Sequence, residues 1–245
     1  MKEMKRLLVF GASVGGFLHE KDGSGCQDAW KYRYIPPNML IIAVSDGAGS
    51  SKKGELGAKM ATDCAVNISP KQNLRELVSE CVYNARKALE EKGKEDSIEL
   101  GELACTLIVV AIREDKGYVA HIGDGAVVSE LGDELEVISE PEESEYVNET
   151  TFLTDEAWEL ALRVREIAKF NALAIFTDGI QRGVLVKRGN EYIPYKGFFN
   201  PLFNYASSVK EEEKACKEIE NLLKSEKFLK LSEDDKTLVI VIRRQ

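Results

Sequence analysis

Histidine and cysteine are sparse in this 245-residue chain, with 2 His and 5 Cys. No C-x-x-C or H-x-x-H pair occurs among them, which argues against a zinc knuckle or a thioredoxin-type motif. The cysteines (Cys26, Cys64, Cys81, Cys105, Cys216) are odd in number and scattered, so a disulfide scaffold is not expected and a reducing compartment is. Cys64, Cys81, Cys105 and Cys216 have apolar neighbours and read as small core residues. Proline numbers only 6. With no internal repeat and no Pro/Ser/Gly linker, a single domain over residues 1–245 is the simplest organisation. No run approaches the roughly 18 consecutive apolar residues of a membrane helix. The longest, Ala104 to Ile112, is interrupted by Thr106. Leu7–Phe10 is too brief for a secretory h-region, and Glu3 lies in the would-be basic part. A soluble, cytoplasmic protein without membrane association is therefore expected, and a monomer. Basic charge is the scarcest resource: 33 Lys+Arg against 42 Asp+Glu give a net charge of −9, and no Lys or Arg stands between Ser129 and Leu162. Such a chain is a poor partner for nucleic acid or anionic lipid.

A hydrophobic content of 44% is enough for a sizeable core. Short β-branched runs bounded by turn residues predict strands at Leu7–Phe10, Met39–Val44, Leu107–Ile112, Tyr118–Ile122, Ala126–Ser129, Leu135–Ile138, Leu173–Phe176 and Leu238–Ile242. Arg113 to Gly117 and Gly132-Asp133 predict tight antiparallel hairpins. Helical spacing appears after Gly54, with Leu56, Met60 and Cys64 on one stripe. It appears again after an Asn73-x-x-Glu76 capping pattern, with Leu74, Leu77, Val78, Cys81 and Ala85 on one face. A third helix, capped by Ser208, carries Ala215, Cys216, Ile219, Leu222 and Leu223. Trp158–Ile167 reads equally as helix or strand. The class is α+β, with helices packed outside antiparallel sheets.

The informative feature is where the aspartates fall. Asp46-Gly47, Asp124-Gly125 and Asp178-Gly179 each close an apolar run, and Asp234-Asp235 stands just before the last one. Any one Asp-Gly is an ordinary turn. Four carboxylates gathered at strand edges repel one another unless a cation neutralises them. Hard divalent ions suit an all-oxygen donor set, so Mg²⁺ or Mn²⁺ is favoured over Zn²⁺. Two such ions roughly 3.5–4 Å apart can activate a shared water for in-line attack on phosphorus. Gly47, lacking a side chain, lets its carbonyl approach an ion closely.

In order along nearly the whole chain, SVGGFLHEKDGSGCQDA, IIAVSDGAGSSKKGELGA, CTLIVVAI with HIGDGAVV, IFTDG and DDKTLVIVI resemble the metal-dependent protein phosphatases of the type 2C fold, in their compact bacterial form. The resemblance implies two packed antiparallel sheets flanked by helices on both outer faces. It implies hydrolysis of phosphoserine and phosphothreonine in proteins by a water bridging two Mg²⁺ or Mn²⁺ ions. Asp46 would bridge the ions, the Gly47 carbonyl would bind one, and Asp178 and Asp234 would complete the other. Asp234 rather than Asp235 is implied because it lies three residues before Thr237. Asp124 would help hold a third ion, and Asp28 would orient water without binding metal directly.

Some positions depart from that pattern. Gln27 stands where many members have Glu, Gly23 where many have a phosphate-binding Arg, and Ala48 where many have a His proposed as general acid. His19, in a Gly-rich stretch, is the candidate to contact phosphate instead. His121 is expected to be packed or superficial, since strand alternation turns it away from Asp124. A metal-poor pseudophosphatase that binds phosphoprotein or a partner is the alternative function, and a small phosphate ester the alternative substrate. Residues 181–207, rich in aromatics, form either a flap beside the site or a packed insertion. Glu140–Glu145 reads as a solvated loop.

Overall fold

The computed structural model describes residues 7–16, 19, 25–142 and 150–244. Gly23 and the acidic residues Glu143 and Glu145 lie outside the described residues. Strands β1 (Leu7–Val14), β6 (Ala126–Leu131), β7 (Glu134–Ser139), β9 (Ala172–Phe176) and β12 (Lys236–Arg243) form one sheet in the order β1-β12-β9-β6-β7. Strands β2 (Ala29–Ile35), β3 (Met39–Ser45), β4 (Leu107–Arg113), β5 (Lys116–Ile122) and β8 (Arg163–Ile167) form the other in sequence order. Every pairing in both sheets is antiparallel.

The two sheets pack face to face, as the apolar runs require. In β3, Leu40, Ile42 and Val44 point between the sheets, while Ile41 and Ala43 point outward. A strand buried on both faces needs a cover on its outer side. Here α1 (Gly54–Val66) and α2 (Leu74–Asp96) supply it. β12 repeats the logic: Val239 and Val241 fill the centre, and Leu238, Ile240 and Ile242 meet the helices on the far side. Those are α4 (Asp178–Val184), α5 (Lys196–Ser208), α6 (Glu212–Leu223) and α7 (Glu226–Leu231). The result is helix, sheet, sheet, helix, in agreement with the expected class.

Several local expectations change. The side chain of Asn73 caps α2 through the amides of Arg75 and Glu76, as its spacing predicts. In α1 the stripe Leu56, Met60, Cys64 is only partly buried, and Ala58, Ala61 and Ala65 face the core. Close packing selects small residues there; a Cβ on Gly57 would lie 2.1 Å from the Leu103 carbonyl, in the 3-10 turn (Leu100–Leu103) ahead of β4. Ser208 ends α5, its hydroxyl bonding the Tyr205 carbonyl, and α6 begins four residues later. Trp158–Ile167 contains both structures, α3 (Trp158–Ala161) and then β8. Cys81 and Cys105 are buried, whereas Cys64 and Cys216 are half-buried. Glu142, placed in a solvated loop by the sequence, accepts bonds from the Thr151 amide and hydroxyl. Residues 181–207 comprise most of α4, the hairpin β10 (Leu185–Arg188) and β11 (Glu191–Pro194), and most of α5. Phe198, Phe199 and Phe203 of this stretch are buried against the first sheet.

Candidate metal centre

Antiparallel pairing places the ends of β3, β5 and β9 and the starts of β2 and β12 at one rim of the sandwich. Asp46 follows β3, Asp124 follows β5, and Asp178 opens α4 directly after β9. Carboxylate oxygens of these three residues lie within 4.8 Å of one another. Their backbones are held firmly. The Asp46 amide donates to the Thr106 hydroxyl at 3.0 Å, and its carbonyl accepts from the Thr106 amide at 2.8 Å. Asp124 sits beside Gly123 at φ +106, a conformation that side chains disfavour. A Cβ on Gly179 would come 1.8 Å from the Asp235 carbonyl. That contact brings the loop before β12 against the start of α4.

Asp28 lies just before β2 in the other sheet and is 4% exposed. Its Oδ2 accepts from the hydroxyls of Thr177 (2.8 Å) and Thr237 (2.7 Å). Its Oδ1 is buried with no hydrogen-bond partner among the described residues, as is the Oδ1 of Asp178. Asp234 stands outside the tight trio and is exposed, but its negative charge acts on Asp46, Asp124 and Asp178. Asp235 is turned inward and fully occupied. It accepts from the amides of Gly16 and Gln27, both at 2.6 Å, and meets His19 Nδ1 at 2.9 Å.

The electrostatics show an uncompensated anionic cluster. Burial, opposed by the two threonine hydroxyls, raises the Asp28 carboxyl to about 8. Burial and then the charges of Asp124 and Asp234 raise Asp178 to about 7. Asp46 is held well above the carboxylate range, by burial first and then by Asp28 and Asp178. Burial likewise raises Asp124, although the Thr150 hydroxyl opposes it. Orphaned buried oxygens, hard donors and raised carboxyls together fit a divalent cation.

The sequence missed some participants. Lys236 is completely buried, and its ammonium donates to the Asp234 carbonyl at 2.6 Å, bracing that loop from behind. Its position directly after the aspartate pair was the available signal. Gly47 also has a steric reason to lack a side chain: a Cβ there would lie 2.5 Å from the Gly54 backbone. With its amide turned to satisfy both atoms, Gln27 donates to the Gly47 and Ala48 carbonyls at 3.0 and 3.2 Å. His121 is packed, fully buried and bonded through Nδ1 to the Ser139 hydroxyl at 2.8 Å. Of residues 181–207, Gln181 and Arg182 line the cleft beside the carboxylates, together with His19, Asp178 and Asp234.

Residues 16–224 match the family model described as protein phosphatase 2C. The chain belongs to the protein phosphatase 2C family. Serine/threonine-protein phosphatase 3 of Escherichia coli (strain K12) is 31% identical to it, over 96% of this chain and 97% of that one. Among solved structures, the serine/threonine phosphatase Stp1 from Staphylococcus aureus aligns with TM-score 0.68 at 15% identity, covering 100% of this chain and 98% of Stp1. The catalytic domain of the phosphatase PstP, solved in complex with two manganese ions, aligns with TM-score 0.66 at 14% identity, covering 98% of this chain and 99% of that domain. Membership makes this chain a metal-dependent protein phosphatase.

Proposed function

We propose that the chain hydrolyses phosphoserine and phosphothreonine monoesters in proteins at the rim built by Asp46, Asp124 and Asp178. The observation that carries the reading is the approach of those three carboxylates to within 4.8 Å from strand ends distant in sequence. Asp46, Asp178 and Asp234 would hold two Mg²⁺ or Mn²⁺ ions with the Gly47 carbonyl, and Asp124 would serve a third. Manganese in the PstP relative supports that choice of metal. When bound, the ions supply Lewis acidity toward phosphate oxygens and a nucleophile at neutral pH.

The chain's own residues do the rest. Thr177 and Thr237 fix Asp28 so that its other oxygen can orient a water by accepting a proton-sharing bond. Asp235 anchors the His19 ring at the cleft wall, where His19 contacts the phosphoryl group. With Ala48 buried next to Gly47, no side chain there can protonate the leaving group. The working unit in this reading is a cytoplasmic monomer with phosphoprotein as its partner and no nucleic-acid role.

The test is hydrolysis of an aryl phosphate and of a phosphothreonine peptide with added Mn²⁺. The wild-type chain should turn over both, and Asp46→Ala and Asp178→Ala should reduce turnover by a hundredfold or more, as the loss of about 3 kcal/mol of transition-state stabilisation does. Absence of metal-dependent turnover, or full activity in both variants, sinks the proposal. Manganese binding without turnover would instead support the pseudophosphatase.

A further inference from the structure

The cleft beside the carboxylate cluster has a volume of about 880 Å³, far larger than a phosphoryl group needs. Its walls are α4, α7 and the loop leading to β12, with Leu229 and Lys230 contributed by α7. Lys230 is paired with Glu226 one turn away at 3.3 Å. Arg182 differs. It is exposed at the cleft and has no hydrogen-bond or ion-pair partner among the described residues.

Some surface cations find acids, as Lys31 does with Asp63 and Lys52 with Glu102, while the exposed Arg75 and Arg188 side chains, like that of Arg182, have no partner among the described residues. Arg182 alone of these three lines the cleft beside the carboxylates. Arg182 even has a carboxylate at the favourable helical spacing, Asp178 at i−4. That carboxylate turns instead toward Asp46 and Asp124. Four residues of helix advance about 6 Å, so the two side chains leave one helix face a single turn apart. One delivers negative charge to the cluster, and the other extends a planar, permanently charged fork into the space in front of it. That fork matches the geometry of phosphate oxygens.

We propose that Arg182 binds the phosphoryl group of the substrate. The inference rests on the phosphatase reading above and adds a residue to it. The experiment uses the full chain with saturating Mn²⁺. It compares wild type, Arg182→Ala and Arg182→Lys for kcat and KM on an aryl phosphate and a phosphothreonine peptide, and for competitive inhibition by inorganic phosphate.

Arg182→Ala should raise KM for both substrates, and the inhibition constant for phosphate, by about tenfold or more, the usual effect of losing one charge-assisted pair. Arg182→Lys should recover part of the loss. Calorimetric Mn²⁺ affinity and Tm should stay at wild-type values, because the side chain is exposed and bonds to none of the described residues. A phosphate inhibition constant within twofold of wild type overturns the proposal. So does a loss confined to the peptide, which would put Arg182 on the flanking sequence, or a loss that follows weakened Mn²⁺ binding. If wild type shows no metal-dependent turnover, the phosphatase reading fails instead. Calorimetric binding of inorganic phosphate to the Mn²⁺-loaded chain then still decides whether Arg182 holds a phosphoryl group.

Discussion

Replacing Asp178 by Asn should make the metal-free protein more stable while removing its response to metal. Asp178 is raised to about 7 from an ordinary 3.8 by burial and by Asp124 and Asp234. Ionising it at pH 8 therefore costs the fold on the order of 4 kcal/mol at most. Neighbouring carboxyls can take up the proton in its place, so the gain from neutralising this one side chain is smaller, about 2 kcal/mol. For a domain of this size that is roughly 4–8 °C in Tm. The amide also suits the position geometrically, since Asn can donate to Asp46, which shares a hydrogen bond with Asp178. Added Mn²⁺ at a hundred times its dissociation constant should stabilise wild type by about 2.7 kcal/mol and the variant far less. Differential scanning fluorimetry at pH 8, with chelator and with Mn²⁺, reads both effects. A lower metal-free Tm in Asp178→Asn, or an undiminished Mn²⁺ shift, would refute the reasoning that this cluster is a set of repelling charges awaiting a cation.

The same physics sets a pH dependence. Asp28 and Asp178 titrate near 8 and 7 in the fold against 3.8 when unfolded, so the folded state holds their protons more tightly. Their contribution to metal-free stability is complete below about pH 4 and is lost as pH rises through 7 to 8; a Tm that climbs over that range without metal would contradict it. Gly179→Ala should destabilise by 2 kcal/mol or more, because the added carbon has no room beside the Asp235 carbonyl, and urea unfolding measures this. Thr237→Val removes one of two hydroxyls on buried Asp28 and should cost about 1–3 kcal/mol. The same variant should lower kcat more than it raises KM, if Asp28 serves to orient water. Phe199→Ala, in the core under the first sheet, should cost about 3–5 kcal/mol while leaving Mn²⁺ affinity intact in the folded fraction.

The strands that were legible in the sequence are those buried on both faces, such as β3 and β4, where continuous β-branched runs leave no other reading. β2 escaped because it is an edge strand whose outward side chains, Lys31 and Arg33, interrupt the apolar pattern. On its other face Trp30 and Tyr32 pack between the sheets and the exposed Tyr34 continues the alternation. The hairpin β10–β11 escaped because most of it is exposed. At the site, Asp-Gly pairs at strand ends revealed Asp46, Asp124 and Asp178. Spacing could not reveal that Asp235 faces inward while its neighbour faces out, since that depends on contacts with Gly16 and Gln27 hundreds of residues away in sequence. Arg182 was invisible for a similar reason: its significance lies in where the fold puts it, at the cleft beside Asp178 and Asp234.

Asp28 also has a mechanical consequence. It leaves the strand of one layer and grips hydroxyls from two neighbouring strands of the other. Elsewhere the layers meet largely through aliphatic side chains, which resist separation better than they resist sliding. This polar rivet fixes their lateral alignment, since a slip of one pleat would leave a buried carboxyl without its hydrogen-bond partners. The aspartate-bearing ends of both layers are thereby kept in step before any ion arrives.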